Sequence, residues 1–221
     1  MSYTKVSKPA RTSVPVRVSW AKQIFVPRAG EDGGDPKYGV TLLIDKSNAE
    51  QMAFLKQIHQ DAKEALEEAW SDVATRPRIP IIGDTYSIIK DGDKTTDKNG
   101  VPYKEKNPEY VGHYFIRTAN RNRPAVVDRN RQEILDQEKI YSGCVCKVNL
   151  NVYSYQGKTS KGITCGLNGV QFWADGERIG GGRPSLESMF DAAPPAAGTA
   201  GGDPFAGAPV TAVEEDPFLK M

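Results

Sequence analysis

Apolar and polar residues alternate along two stretches of this chain and recur at helical spacing along a third. Val14, Val16, Val18 and Trp20 alternate with Ser13, Pro15, Arg17 and Ser19, a period of two that predicts a half-buried strand. Tyr38 to Ile44 is nearly continuous in apolar character and predicts a second strand, with the turn between them in the Gly-rich stretch 30–34. Ser47 followed by Glu50 fits a capping box. Phe54, Leu55, Ile58, Ala62, Leu66, Ala69 and Trp70 then form one stripe at three- and four-residue spacing, the mark of an amphipathic helix. Pro77 and Pro80 stop it.

Residues 83–109 are polar and turn-rich, and predict a long excursion or β-arm. Val111 to Thr118 and Ala125 to Asp128 predict further strands, with a charged helical turn over 129–139. Cys144 to Tyr155 and Gly162 to Trp173 predict two long strands joined by Gln156-Gly157-Lys158. The expected class is mainly β: an OB-like antiparallel β-barrel with one amphipathic α-helix and a disordered C-terminal tail. An ordinary antiparallel sheet packed on a helix fits the same pattern.

From Gly180 the composition changes. Residues 191–213 are mostly Ala, Pro and Gly, too poor in apolar side chains to offset the entropy of ordering. The expected division is a binding domain over 1–182 and a flexible Ala/Pro/Gly-rich acidic tail over 183–221. The tripeptide Asp-Pro-Phe occurs at 203–205 and again at 216–218, a repeat that chance in a low-complexity tail could also produce.

Charge sharpens this division. The 221-residue chain carries a formal charge of only +1. Residues 191–221 hold Asp191, Asp203, Glu214, Glu215 and Asp216 against Lys220, a charge of −4 that leaves +5 on the rest. An acidic tail on a mildly basic body can compete with an anionic ligand for that body.

Cys144, Cys146 and Cys165 are an odd count and read as small apolar core residues. The polar stretch from Met1 to Lys8 does not read as a signal peptide, and no apolar run approaches the ~20 residues of a membrane span. The expectation is no membrane partner and a cytoplasmic location.

Aromatic and cationic side chains interleave in the strands. Along 144–155 the even positions Cys144, Cys146, Val148, Leu150 and Val152 form an apolar face. The odd positions Lys147, Asn149, Asn151, Tyr153 and Tyr155 offer a cation, two amides and two rings. Single-stranded nucleic acid needs rings for bases to stack on and cations for phosphates; a solvent face carrying two tyrosines would look the same. A second segment carries Tyr110, Tyr114 and Phe115 before Arg117, Arg121, Arg123, Arg129 and Arg131. Asp128, Glu133 and Asp136 dilute that charge, so a salt-bridged surface fits it too. The N-terminal arm adds Lys5, Lys8, Arg11 and Arg17.

Enzyme motifs fail. Gly157-Lys158-Thr159 resembles the end of a P-loop, but Val152 stands where the first Gly is required. Asp91, Asp93 and Asp97 suggest a calcium loop, but its twelfth position is Pro102. Cys144 and Cys146 lack a second pair at zinc-ligand spacing. His59 and His113 are the only histidines, and nothing positions a triad around them. No catalytic residue, metal or cofactor is expected.

Residues 141–155 (YSGCVCKVNLNVYSY), 161–173 (KGITCGLNGVQFW) and 175–181 (DGERIGG) resemble the tailed-phage single-stranded DNA-binding protein family, long catalogued as a domain of unknown function. The resemblance spans about 10–185, and Gly166-Leu167-Asn168 before Val170-Gln171-Phe172 is its strongest signature. It implies an OB-fold and a non-enzymatic, sequence-tolerant binder of single-stranded DNA, acting in phage replication and recombination in the cytoplasm of an infected bacterial host. A homo-oligomer or a cooperative array on DNA is the assembly it implies. Tyr153, Tyr155 and Tyr114 are then the stacking residues, and Arg17, Arg117, Arg121, Arg123, Lys147 and Lys158 the phosphate partners.

The tail resembles those by which such proteins recruit replication or recombination enzymes, with Asp203, Phe205, Glu214, Glu215, Asp216 and Phe218 as contacts. It departs from them in placing Leu219, Lys220 and Met221 after the last Phe. Capture of a terminal Phe carboxylate does not carry over, whereas the acidic-aromatic pattern does. A strand-annealing recombination mediator, or a protein-binding adaptor without DNA affinity, would fit the same residues.

Overall fold

The computed structural model describes residues 3–29, 34–78, 80–83, 87–97, 99–157 and 160–180, all within one unit, Met1–Gly182. The Gly-rich turn at 30–33, Lys158 and the whole tail lie outside the described residues.

The elements run β1 (Arg11–Thr12), β2 (Val16–Ser19), β3 (Tyr38–Asp45), α1 (Ala49–Ala69), β4 (Ile82–Gly83), β5 (Ile89–Asp91), α2 (Tyr103–Lys106), β6 (His113–Asn120), β7 (Ala125–Val127), β8 (Val145–Gln156) and β9 (Lys161–Ala174). Five of them close a ring in the order β2, β3, β6, β9, β8 and back to β2. Closure depends on β6 and β9, which run parallel, pairing Thr118 with Cys165 and Ala119 with Gly166. This is the strand order of an OB barrel, here with its helix inserted between the second and third barrel strands.

The apolar pattern explains the closure. Val16, Val18, Val40, Leu42, Ile44, Ile116, Cys146, Val148, Leu150, Val152, Cys165 and Leu167 all belong to one buried core. Strand β3 is apolar on both faces because both are covered. Its even positions enter the core, while Leu43 packs outside the barrel beneath Tyr110 and Phe115. Helix α1 turns Phe54, Leu55, Ile58, Ala62 and Ala65 onto that core. Asp61 is buried among them and held by the Arg11 guanidinium, which satisfies an otherwise costly charge.

Three local readings need correction. The helix cap is Asn48, whose side chain accepts from the Glu50 and Gln51 backbone N–H groups; Ser47 instead donates to Asp45. The first strand stops at Ser19, and Trp20 turns out of it at φ 60°, 46% exposed. Over 129–139 a tight turn held by the Asp128 carboxylate comes first, and the expected charged helical turn is confined to Gln137–Lys139. The polar excursion lies on the sheet through β5, which pairs with β6.

Two features shape the outer surface of the long hairpin. The N-terminal arm runs beside β8, with Lys8 N–H donating to Val152 and Ser154 N–H to Val6. A bulge in β9 sets Asn149 opposite Gly169 and Leu150 opposite Leu167, leaving Asn168 unpaired, and the Asn168 amide bonds Asn149 at 3.0 Å. Before the bulge β9 pairs with β6, and after it with β7. The Gly166-Leu167-Asn168 signature is therefore a backbone neighbour of β6, a core residue and the bulge itself.

Candidate nucleic-acid interface

Alternation along β8 puts Lys147, Asn149, Asn151, Tyr153 and Tyr155 on the outer face, all half-buried, while the even positions are buried. Barrel closure then brings β6 beside β9, so that Arg117 and Ala119 face the same groove as Tyr153. Two hollows adjoin there. One, of about 560 Å³, includes Lys5, Asn120, Arg121, Asn151, Tyr153 and Gly166 in its lining. The other, of about 500 Å³, includes Lys90, Arg117, Tyr153, Tyr155, Ile163 and Thr164. Lys37, Ala119 and Tyr153 border both.

The groove's electrostatics are one-sided. Its two linings hold five cations (Lys5, Lys37, Lys90, Arg117 and Arg121) and no carboxylate among the described residues. Arg121 reaches Asp35 at 2.8 Å, but both side chains are exposed, so the pair is weak and exchangeable. Arg117 lies over the Tyr103 and Phe115 rings and donates to the Tyr103 hydroxyl at 2.9 Å. That fixes a guanidinium plane at the groove edge. Burial pushes the Tyr153 phenol above its ordinary pKa.

Not every residue read from the sequence reaches this groove. Tyr153, Tyr155, Arg117 and Arg121 line it. Arg123 is exposed on the turn after β6. Lys147 lies six residues from Tyr153, at the other end of the hairpin, with its ammonium 4.0 Å from the Trp173 ring centroid. Arg129 covers the same ring at 4.8 Å. Arg17 is on the outer face of β2, where it donates to the Glu177 carbonyl at 3.0 Å. Tyr114 has the opposite parity to Arg117, packs against the core and carries the Lys46 ammonium over its ring at 4.7 Å. Lys37 and Lys90 were not singled out from the sequence, because nothing local marks them and only the closed barrel places them beside Tyr153.

Comparisons with known proteins bear on this arrangement. The sequence profile of the family described as Enterobacter phage Enc34, ssDNA-binding protein, matches residues 10–200. The chain belongs to this phage single-stranded DNA-binding protein family. The single-stranded DNA-binding protein of bacteriophage Enc34, solved in complex with single-stranded DNA, is 26% identical and aligns with a TM-score of 0.61, over 77% of this chain and 89% of that one. The same phage protein in a second structure, described without DNA, is 25% identical with a TM-score of 0.60, over 82% and 90%. Protein p50 of Acyrthosiphon pisum secondary endosymbiont phage 1 is 28% identical over 173 residues, which are 76% of this chain and 86% of that protein. The fold is thus the OB-like barrel of this family, and the hairpin and the groove residues named above, Lys5 excepted, lie within the matched region.

Proposed function

We propose that this chain is a non-enzymatic, sequence-tolerant single-stranded DNA-binding protein that holds the strand in the groove crossed by Tyr153. The carrying observation is the groove itself: two rings on β8 beside five cations, with no acid in the lining among the described residues. Rings accept any base by its face, and the cations follow the backbone, so the surface selects unpaired nucleic acid rather than a sequence. The DNA complex of the Enc34 relative supports this reading.

A gel shift compares oligo(dT) with a duplex of equal length. Tighter binding of the single strand, weakening as salt rises, is the expected result. No shift at all would favour a protein-binding adaptor, and equal affinity for duplex would remove the stacking role.

The sequence supports a finer reading in which the protein serves phage replication and recombination in the host cytoplasm. Its acidic tail, through Asp203, Phe205, Glu214, Glu215, Asp216 and Phe218, recruits partner proteins and competes with DNA. Truncation after Gly182 then tightens oligo(dT) binding most at low salt, where screening is weakest. Unchanged affinity at low and high salt would reduce the tail to a docking peptide.

A further inference from the structure

A third hollow, of about 450 Å³, opens on the same outer surface, bordered by Trp20, Lys22, Gln23, Arg28 and Asn107. Ser19, also in its lining, is the cross-strand partner of Thr41 on β3, and Thr41 is the partner of Arg117 on β6. These three residues stand in one row across neighbouring strands, so about two strand spacings, ~10 Å, separate the hollow from the Tyr153 groove. Lys37 ties the two regions together: it borders the groove, its backbone pairs with Arg28, and its carbonyl accepts from the Gln23 amide at 3.2 Å.

Trp20 is the unusual residue there. It holds φ 60° and ψ 31°, a left-handed conformation that a bulky side chain rarely adopts. Its ring is 46% exposed, whereas Trp70 is buried. The Arg28 guanidinium lies 5.9 Å from its ring centroid. A strained backbone that presents a large ring to solvent points to a ligand. A ring, two cations and two amides, set among Val26, Pro27 and Ile179, complement the base and phosphate of a nucleotide. Glu109 is the one acid in the lining among the described residues.

We infer that the DNA track continues from the Tyr153 groove past Lys37 into this hollow, where Trp20 stacks a base and Lys22 and Arg28 hold the adjoining phosphates. The inference rests on the proposed single-strand binding and extends its path to a second stacking station.

The test is a length series with the full chain. Oligo(dT) of about 4 nucleotides occupies one station, and of about 12 nucleotides reaches both. Trp20→Gly weakens binding of the long strand on the order of tenfold or more. It leaves the short strand unchanged, whereas Tyr153→Ala weakens both. Glycine accepts φ 60° without strain, so the turn at residue 20 is kept in Trp20→Gly. As a readout that leaves residue 20 intact, the Trp173→Phe protein reports through Trp20, since Trp70 is buried. Its fluorescence is quenched by the long strand and not by the short one. Long-strand affinity unchanged by Trp20→Gly, or no quenching by the long strand, overturns the inference while leaving the groove in place. Failure of the parent protein to bind either strand overturns the groove reading itself.

Discussion

Gly166 gives Tyr153 its position. A Cβ built on Gly166 would stand 3.2 Å from Tyr153 Cε1 and 2.7 Å from Asn151 Oδ1. The ring and the amide of β8 thus occupy the space a side chain on β9 would fill. The same glycine lies beside Ala119 at the seam where β6 meets β9. A residue that appears in the sequence as part of a signature is, in the fold, the floor on which the Tyr153 ring rests.

Gly166→Ala should therefore act on binding more than on folding. The added methyl pushes the Asn151 side chain from its 2.9 Å bond to Ser7 and tilts the Tyr153 ring. The expected result is oligo(dT) affinity reduced several-fold, with a melting temperature within a few degrees of the parent. A large fall in melting with parental affinity per folded molecule would show that Gly166 serves barrel closure alone.

Tyr153 and Tyr114 should separate cleanly, although both were read as stacking residues. Tyr153→Ala removes a ring on the outer face and should cost ~1–3 kcal/mol of binding. Tyr114→Ala removes a ring packed against the core beneath Lys46, and should cost on the order of 2 kcal/mol of stability with DNA affinity unchanged. Isothermal titration and thermal melting of both variants decide this. Reversal of the two effects would mean that the outer and inner faces are exchanged.

These two tyrosines also show what the sequence could and could not disclose. Strict alternation over 144–155 revealed the outer face of β8, because one face of that strand is buried from Cys146 to Ser154. The same rule applied to β6 would have set Tyr114 and Arg117 on opposite faces, since they are three residues apart. Composition of the segment concealed this. Lys37 and Lys90 could not have been found, because their nearness to Tyr153 arises from barrel closure and from β5 joining β6, contacts between residues far apart in sequence. Trp20 was lost for a different reason: alternation carried it into a strand that a left-handed turn ends one residue earlier.

Acid should loosen the region around Tyr114. Lys46 reaches Asp91 and Asp93, each at 2.6 Å, and Asp93 also accepts from the Gly112 backbone N–H. Chiefly through the Lys46 bond, the Asp93 carboxyl is held below its ordinary pKa. The folded state therefore binds this proton less readily than the unfolded chain. The resulting stability is complete above the ordinary carboxylate range and is lost as pH falls through the lower folded value. Urea melts across pH 3 to 6 should show Asp93→Asn losing part of the parent's acid sensitivity. An unchanged pH dependence would assign it to other carboxylates, such as Asp45, held low by its bonds from Ser47.

Salt dependence can distinguish phosphate contacts from stacking within the one groove. Lys37 is exposed and borders both hollows, and its backbone is fixed by the pairing with Arg28. A strand crossing Tyr153 meets Lys37 whichever hollow it enters. Each phosphate neutralised on a single strand contributes ~0.7 to the slope of log affinity against log salt. Lys37→Ala should lower that slope by about this amount and weaken all sequences alike. Tyr153→Ala should weaken binding at every salt concentration and leave the slope intact, because a base on a ring releases no counterion. Lys56, exposed on α1, serves as the control cation, and its removal should change neither quantity. Equal slopes for the parent and Lys37→Ala would take Lys37 off the path of the strand. An equal loss of slope in Lys56→Ala would mean that overall charge, not the groove, attracts the DNA.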